Sequence, residues 1–401
     1  MKKLRFQIRT WNRAKKLEKC VRRMAEEVKK LGKEDECVIF VIDNYSDDET
    51  PKVLKKLQKE IPFLVTWRYP RWCKQGEFID IPPEVMEKVE AQFVWFFGDD
   101  DLLLKDALPI VWRVLSSEEA EDIAFISVGQ SLLTPHSFKI YHGTVWEFMN
   151  LLGFNQFAGW MASTIWNTEL CDRPIFYMWA SEETLKKTSD YETISLYNKT
   201  AFGHVLLLLH FCAYLPAVVI DYPVAEPMEV GDLETAERWE MENVGWRYFL
   251  FAKVLKIMYD KGILEEKLKP GFFKYLEHNL WDRFLSEMIA SRIGIYKRNP
   301  RPDEGWEIIR GIADIIDDPT IAKEIKVTVE LARALCDEYQ WIKEQIEALE
   351  GKSLPMGEEK VKKELEKRKE SIYQMLLSAG NEIVKPIFEK GWAGKGYKEK
   401  I

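Results

Sequence analysis

Three consecutive aspartates, Asp99 to Asp101, follow the apolar run Phe93–Phe97 and Gly98. Like charges side by side repel, so placing them at the end of a buried strand is costly without a positive partner. Carboxylate oxygens are the ligands that hard divalent cations prefer. Gly98 has no side chain, which permits close backbone approach. The pattern indicates a cation site, and the alternative is a solvated acidic turn that precedes a helix.

A second polar turn has the same position relative to a strand. Residues 37–42 (CVIFVI) form a run that is typical of a buried parallel strand, and DNYSDDETP follows at 43–51. Asn, Asp, Ser and Pro favour turns. Within this turn we expect Asp47 and Asp48 to cap the helix that begins near Thr50.

Strand and helix patterns alternate over roughly the first 130 residues, which predicts a parallel α/β sheet. The predicted strands cover 4–8, 37–42, 63–67, 93–97 and 122–128. Ligands of such sheets bind at the carboxyl ends of the strands. The two acidic turns, 43–49 and 99–101, should therefore share one edge of the sheet.

The chain changes character near residue 230. Strand patterns at 137–143, 161–166 and 217–224, with an apolar helix at about 203–214, give way to helical patterns from about 233. We therefore expect domains at 1–230 and 231–401. The last helix starts near 357, and the segment 357–401 carries 11 Lys and Arg against 8 Asp and Glu.

Composition limits the class of protein. The chain has 401 residues, 46% of them hydrophobic and 31% charged, with a formal net charge of −8, so it is globular and has no basic domain for nucleic acid. Its six cysteines occur singly, as in reduced cytoplasmic proteins. No apolar run reaches the roughly 18 residues of a membrane helix, and the N-terminus lacks a signal-peptide pattern.

Three segments in order carry a family resemblance: IRTWNR at 8–13, VIDNYSDDET at 41–50 and FFGDDDLL at 96–103. Their order and spacing resemble the family 2 glycosyltransferases of the GT-A fold, over roughly residues 4–225. The resemblance implies a GT-A (Rossmann-like, mostly parallel sheet) catalytic domain followed by an all-helical region. It also implies a hexosyltransferase-like, metal-dependent enzyme that transfers a sugar from a nucleotide-diphosphate sugar to an acceptor hydroxyl with inversion.

The resemblance assigns roles to the acidic turn. Asp101 is the expected main ligand of Mn²⁺ or Mg²⁺, while Asp99 and Asp100 would hold the ribose and assist the metal. A divalent cation suits this place because bond cleavage leaves more negative charge on the diphosphate.

The nucleotide pocket is expected to use strand-end residues. Asp43 and Asn44 would hold the base and ribose, and an amide such as Asn44 can both donate and accept at a pyrimidine edge. The second position is often Asp in the family, which leaves the base open between UDP- and GDP-sugars. Further residues expected in the pocket are Thr10, Trp11, Asn12, Arg13 and Lys74. Arg13 has a structural alternative at the helix start, and Lys74 has one in a solvated loop.

The general base has two candidates. Related inverting enzymes place an Asp or a Glu-Asp pair at the start of an apolar helix, whereas the matching helix here begins with Gly203 and His204. His204 could take the acceptor proton, since histidine titrates near neutral pH. It could instead be a third metal ligand or a locally bonded histidine. Asp190 is the acidic alternative.

The missing acidic pair also favours a second class of protein, a non-catalytic sugar-nucleotide binder or scaffold with the same fold. The acceptor is open between a glycan, a lipid-linked molecule and others. For the basic last helix, the options are peripheral contact with an anionic membrane, homodimer formation and packing against the catalytic domain.

Overall fold

The structure is a computed structural model that describes residues 1–74, 77–130, 136–200, 202–228, 244–268, 306, 310–311, 313, 319–350 and 356–379. The chain divides into two compact units. One comprises Met1–Asp232 and Leu264–Phe272, and the other comprises Leu233–Ile263 and Phe273–Ile401. The predicted boundary near residue 230 stays a prediction.

The first unit alternates strands and helices, as the sequence patterns predict. Its strands are β1 (Lys2–Thr10), β2 (Cys37–Asp43), β3 (Leu64–Arg68), β4 (Ala91–Gly98), β5 (Asp101–Leu103), β6 (Phe125–Gln130), β7 (Ile140–Thr144), β8 (Thr164–Asn167) and β9 (Pro216–Pro227). Its helices are α1 (Ala14–Leu31), α2 (Thr50–Glu60), α3 (Pro83–Met86), α4 (Leu108–Leu115), α5 (Val145–Leu152), α6 (Asp172–Trp179), α7 (Glu182–Leu185), α8 (Tyr191–Asn198) and α9 (Gly203–Cys212).

The strands form one mixed sheet in the order β3-β2-β1-β4-β8-β6-β9-β5, with β7 paired to β9. β1 pairs in parallel with β2 and with β4, and β2 pairs in parallel with β3. β8 is antiparallel to both β4 and β6. β6 therefore runs in the same direction as β4, and the carboxyl ends of β1, β2, β4 and β6 point to one edge.

Alternate residues of β1 face two different layers, as strand geometry requires. Leu4, Phe6 and Ile8 are fully buried in the main apolar cluster with α1 residues such as Leu17 and Val21. Opposite them, β2 contributes Val38, Phe40 and Ile42 to a smaller cluster. Burying apolar area on both faces fixes the sheet and, with it, the positions of the turns at its carboxyl edge.

The described part of the second unit is helical. Its helices are α10 (Val244–Asp260), α11 (Pro319–Leu349) and α12 (Met356–Ala379). α11 and α12 pack together, and Arg368 bonds Glu338 through two nitrogens at 2.8 and 3.1 Å. None of the helices in the part of the chain described here is long and apolar enough to cross a membrane. The sequence continues the helical spacing of apolar residues in the last helix to Ile383 and Ile387, which lie outside the described residues.

The predicted fold class, an α/β GT-A-like sheet followed by helices, is confirmed. One strand was missed: β5 begins on Asp101, inside the acidic cluster, and pairs antiparallel with β9. A three-residue strand that starts on a charge carries no alternation that a sequence pattern could detect.

Candidate active site

Strand register brings the three sequence motifs together. Thr10 at the end of β1 is the direct partner of Asp43 at the end of β2. Arg9, one residue earlier, is the partner of Gly98 at the end of β4. The backbone N–H of Asn44 donates to the Thr10 carbonyl at 2.8 Å, which ties the first two turns together. The two acidic turns therefore lie at one edge of the sheet, on either side of β1.

Arg13 bridges the first two aspartates of the acidic cluster. Its Nη1 lies 2.8 Å from Asp99 Oδ1 and 2.5 Å from Asp100 Oδ2. The Thr10 hydroxyl donates to the other Asp99 oxygen at 2.7 Å. Burial lowers the pKa of Arg13, but the charges of the two carboxylates raise it by more, so the pKa lies above its ordinary value. Because a guanidinium does not lose its proton in proteins, Arg13 brings a positive charge to both carboxyl groups.

Asp99 is held on both of its carboxylate oxygens. Burial raises its pKa, while the Arg13 charge and the Thr10 hydroxyl act in the opposite direction. Its side chain is 8% exposed, whereas that of Asp100 is 33% exposed. Asp100 is consequently the more accessible of the two bridged carboxylates.

The side chain of Asp101 is buried, unlike the accessible carboxylate of Asp100. Its Oδ2 accepts a hydrogen bond from the Gly98 backbone N–H at 3.1 Å, and the Trp160 side chain also bonds to it. Burial, and then the Asp100 charge, raise the pKa of Asp101 to about 8. The Asp101 carboxyl group is therefore held inside the turn, with Oδ2 directed at the Gly98 N–H. A Cβ on Gly98 would stand 2.5 Å from Asp101 Oδ2, so this turn requires glycine.

The two carboxylate oxygens of Asp43 differ in their hydrogen bonding. Its Oδ1 accepts from the Ser46 backbone N–H at 2.9 Å. Its Oδ2 is buried and accepts no hydrogen bond, although Arg68 Nε lies 3.5 Å away. A buried acceptor without a hydrogen bond is unusual, since leaving it unsatisfied costs about 1–3 kcal/mol.

Asn44 and Asn12 both use their amides inside the protein. Asn44 Nδ2 donates to the Cys73 carbonyl at 2.7 Å, and Asn44 Oδ1 accepts from the Cys73 N–H at 3.0 Å. Asn12 exchanges two hydrogen bonds with Asp47, at 2.6 and 2.9 Å. Asn12 also has a φ of 53°, in the left-handed region that Asn tolerates. Both asparagines hold loops at the site, and Lys74 follows the clamped Cys73 on an exposed segment.

Exposed aromatic rings lie beside these turns. The rings of Trp11 and Trp72 are 5.7 Å apart, and Trp72 is 47% exposed. Tyr45, which follows Asn44, is 46% exposed and has the Arg68 guanidinium 4.9 Å from its ring centre. The sequence patterns did not identify Tyr45, Arg68 or Trp72 as members of this region.

His204 is buried at the start of α9. Its Nε2 lies 2.7 Å from the Ala158 carbonyl oxygen, so that nitrogen carries the proton. Burial lowers the pKa of His204 to about 4, which keeps the ring neutral. Ala158 and Gly159 immediately precede Trp160, so His204 supports the segment that carries a contact of Asp101.

Asp190 directly precedes α8 and is partly exposed. Its Oδ2 accepts from the Tyr177 hydroxyl and from Arg173 Nη2, each at 2.7 Å. Hydrogen bonding from Tyr177 and the Arg173 charge lower its pKa, so the carboxylate is ionised, and Oδ1 accepts only a long hydrogen bond from the Ser189 hydroxyl at 3.4 Å.

The acidic cluster suits a divalent cation that takes only one or two of its ligands from the protein. Among the described residues, no three His, Cys, Asp or Glu side chains converge as a ready metal cage. Mg²⁺ in nucleotide enzymes is commonly held by one or two carboxylates together with substrate phosphates. The accessible Asp100 carboxylate matches that arrangement.

Comparison with known families agrees with this architecture. A Rossmann-like sheet with acidic turns at the ends of β2 and β4, on either side of β1, is typical of nucleotide-binding α/β domains. Residues 7–161 match the family described as Glycosyl transferase family 2. The matched segment, which is less than half of the chain, is similar to family 2 glycosyltransferases. No curated protein matches it significantly.

Several solved structures resemble the chain at low identity. Crystal structures of S. aureus TarS 1–349 and of its UDP complex are 13% and 15% identical, each with a TM-score of 0.49, covering 83% of this chain and 87% of that chain. The mannosyltransferase PcManGT from Pyrobaculum calidifontis, in complex with GDP-Man and Mn²⁺, is 13% identical with a TM-score of 0.39, covering 94% and 87%.

Proposed function

We propose that the protein is a divalent-metal-dependent, inverting glycosyltransferase that uses a UDP- or GDP-sugar as donor and a hydroxyl group as acceptor. The observation that carries this proposal is the register that sets Asp43 and the Asp99–Asp101 turn on either side of the end of β1. Residues on one side can recognise the nucleotide, and those on the other can hold the diphosphate with its cation.

Asp43 recognises the base in this proposal. Its buried Oδ2 lacks a hydrogen bond, and uracil and guanine each carry a ring N–H that this oxygen can accept. Adenine and cytosine have no such ring N–H. Arg68, 3.5 Å from the same oxygen, would yield to the base, and the exposed rings of Trp11, Trp72 and Tyr45 offer stacking surfaces.

Asp100 takes the metal contact in preference to Asp101. Asp100 is accessible, whereas Asp101 is buried on Gly98 N–H and the Trp160 side chain. Asp99, held by Arg13 and Thr10, keeps the turn in place near the ribose. When bound, Mn²⁺ or Mg²⁺ supplies the counter-charge for the leaving diphosphate.

Asp190 is the proposed general base rather than His204. His204 donates its Nε2 proton to a buried carbonyl group, so this nitrogen has no lone pair for an acceptor hydroxyl. Asp190 is ionised and retains accepting capacity, with Arg173 and Tyr177 fixing its orientation. In a single displacement, the deprotonated hydroxyl attacks the anomeric carbon opposite the diphosphate, which inverts its configuration.

The test is release of nucleoside diphosphate from UDP- and GDP-sugars with Mn²⁺, with and without a panel of hydroxyl acceptors. We expect release to require the metal and to fall by about 10²-fold or more in Asp100→Asn and Asp190→Asn. Arg22→Gln, on the exposed face of α1, is the matched control and should behave as wild type. Unchanged turnover in Asp100→Asn, or a product with retained anomeric configuration, would contradict the respective part of the proposal.

The helical region is proposed to bring the enzyme to its acceptor. α12 carries six Lys and Arg against five Glu, with Lys360 and Lys363 exposed, and exposed cationic side chains attract anionic lipid headgroups. Co-sedimentation with vesicles containing phosphatidylserine, at low and moderate salt, tests this peripheral contact. Absence of binding at both salt concentrations would remove it and leave dimerisation, measured by light scattering, as the role to examine.

A further inference from the structure

Arg13 occupies the place in the acidic cluster where a cation is needed. A single nitrogen, Nη1, contacts both Asp99 and Asp100, at 2.8 and 2.5 Å. The Arg13 side chain is 8% exposed, and its Nε is buried without a hydrogen-bond partner. An arginine that served only to stabilise one carboxylate would be expected to form the parallel two-nitrogen pair that guanidinium favours. Arg13 instead contacts two carboxylates through one nitrogen.

The two carboxylates differ in how firmly they are held. Asp99 accepts from the Thr10 hydroxyl on its second oxygen, whereas the accessible Asp100 carboxylate is held by Arg13 on Oδ2. A cation that approaches from solvent therefore meets Asp100 first. Such a cation competes with Arg13 for Asp100, and the Asp99 contact can persist.

We propose that Arg13 is a resident counter-ion that holds the Asp99 and Asp100 carboxylates together and sets the metal affinity of the site by competing for Asp100. This inference rests on the metal site proposed at Asp100. Before the metal binds, the guanidinium offsets the repulsion between the two carboxylates. Asp100 would hold a bound divalent cation in place of its Arg13 contact, and the positive charge of Arg13 would disfavour the state with metal and no nucleotide.

Binding of the donor nucleotide should change the affinity of the site for the metal. The diphosphate of the donor is negative, so its arrival offsets the repulsion between Arg13 and the metal. Metal and nucleotide should consequently bind with positive cooperativity, and part of that cooperativity should depend on the charge of Arg13. An arginine that only packs, or that only contacts the nucleotide, would not link the two affinities in this way.

The experiment measures Mn²⁺ binding without nucleotide, from the paramagnetic resonance signal of the free ion. Wild type is compared with Arg13→Gln, Arg13→Lys, Asp100→Asn and the surface control Arg22→Gln. We expect Arg13→Gln to bind Mn²⁺ about tenfold more tightly than wild type, because a repelling charge is gone. We expect Arg13→Lys to lie between the two, since an ammonium keeps the charge but cannot bridge as a guanidinium does.

Thermal unfolding in EDTA supplies a second readout. Arg13→Gln should melt roughly 6–15 °C lower than wild type, because a buried carboxylate loses its partner. Saturating Mn²⁺ should then raise the melting temperature of Arg13→Gln by more than it raises that of wild type. Addition of UDP or GDP should tighten Mn²⁺ binding in wild type by a larger factor than in Arg13→Gln.

The outcomes separate this inference from the proposed metal site. If wild type binds Mn²⁺, Asp100→Asn does not, and Arg13→Gln shows no gain, the metal site stands and the role of Arg13 is overturned. If Asp100→Asn binds as wild type does, the site assignment fails and the Arg13 inference fails with it. Should Arg13→Gln not fold, Arg13→Lys decides between the outcomes: about threefold tighter binding supports the competition, and no tightening overturns it.

Discussion

The side-chain amide of Asn44 forms two hydrogen bonds with the backbone of Cys73, 29 residues further along the chain. The donor and the acceptor of the amide face the carbonyl and the N–H of one residue. This pairing fixes the loop after β3 against the end of β2 and places Lys74 beside the proposed nucleotide pocket. Asn44 thereby holds this loop in place, and Oδ2 of the neighbouring Asp43, which accepts no hydrogen bond, is the oxygen proposed to receive the base.

Asn44→Asp tests this clamp, because aspartate replaces the donating amide nitrogen with an oxygen. That oxygen would face the Cys73 carbonyl in place of the 2.7 Å hydrogen bond. We expect the free energy of unfolding to fall by about 1–3 kcal/mol, and nucleotide affinity to fall as the loop loosens. Urea unfolding and UDP or GDP titration measure the two effects. Asn44→Ala, which removes the bonds without adding a repelling charge, should be less damaging; the reverse order would contradict the clamp.

The sequence patterns predicted the sheet edge better than the roles of individual side chains on it. Runs of β-branched and aromatic residues locate β1 to β4, and parallel topology then requires their ends to lie together. Amide chemistry does not show whether Asn44 faces a base or a backbone, because either use needs one donor and one acceptor. The partner, Cys73, comes from a distant segment that no local pattern connects to it.

In the acidic turn as well, the sequence did not distinguish the roles of the individual side chains. Asp99, Asp100 and Asp101 are equivalent as sequence letters, and family resemblance alone made Asp101 the main metal ligand. In the structure Asp101 begins β5 and turns inward, because Ala225–Pro227 of β9 pair with that strand. The antiparallel return of β9, more than 100 residues later, separates the buried carboxyl group from the accessible one.

Gly98→Ala probes how closely the acidic turn is packed. The added Cβ would lie 2.5 Å from Asp101 Oδ2 and 2.9 Å from Asp100 Oδ1, closer than real Cβ contacts come. Both carboxylates would have to move, so we expect Mn²⁺ affinity and turnover to fall by about tenfold or more, with a loss of about 1–3 kcal/mol in unfolding free energy. Binding titrations and urea unfolding give these values. Gly32→Ala, at a helix end, is a control that affects stability but not Mn²⁺ affinity.

Asp100→Asn and Asp101→Asn together test which carboxylate holds the cation. Asp100→Asn should weaken Mn²⁺ binding by about tenfold or more, since it removes the accessible anionic ligand. Asp101→Asn should bind Mn²⁺ within about threefold of wild type, because its side chain is buried against the Gly98 N–H and the Trp160 side chain. Titration with Mn²⁺ followed by calorimetry compares them. The opposite pattern, with Asp101→Asn the weaker binder, would restore Asp101 as the main ligand.

His204 should make the fold sensitive to acid without taking part in transfer. Burial lowers its pKa from 6.5 to about 4, so between these values the unfolded chain binds a proton that the folded chain does not. The free energy of unfolding therefore falls as the pH drops from about 6.5 to about 4, by about 3 kcal/mol from this group. His204→Gln keeps a donor for the Ala158 carbonyl but does not titrate, so its unfolding free energy should depend less on pH over this window.

Urea unfolding at several pH values measures how the unfolding free energy changes with pH, with the exposed His142→Asn as control. Equal slopes in His204→Gln and wild type would show that the acid sensitivity arises elsewhere, and loss of turnover at neutral pH in a stably folded His204→Gln would make His204 a candidate base again.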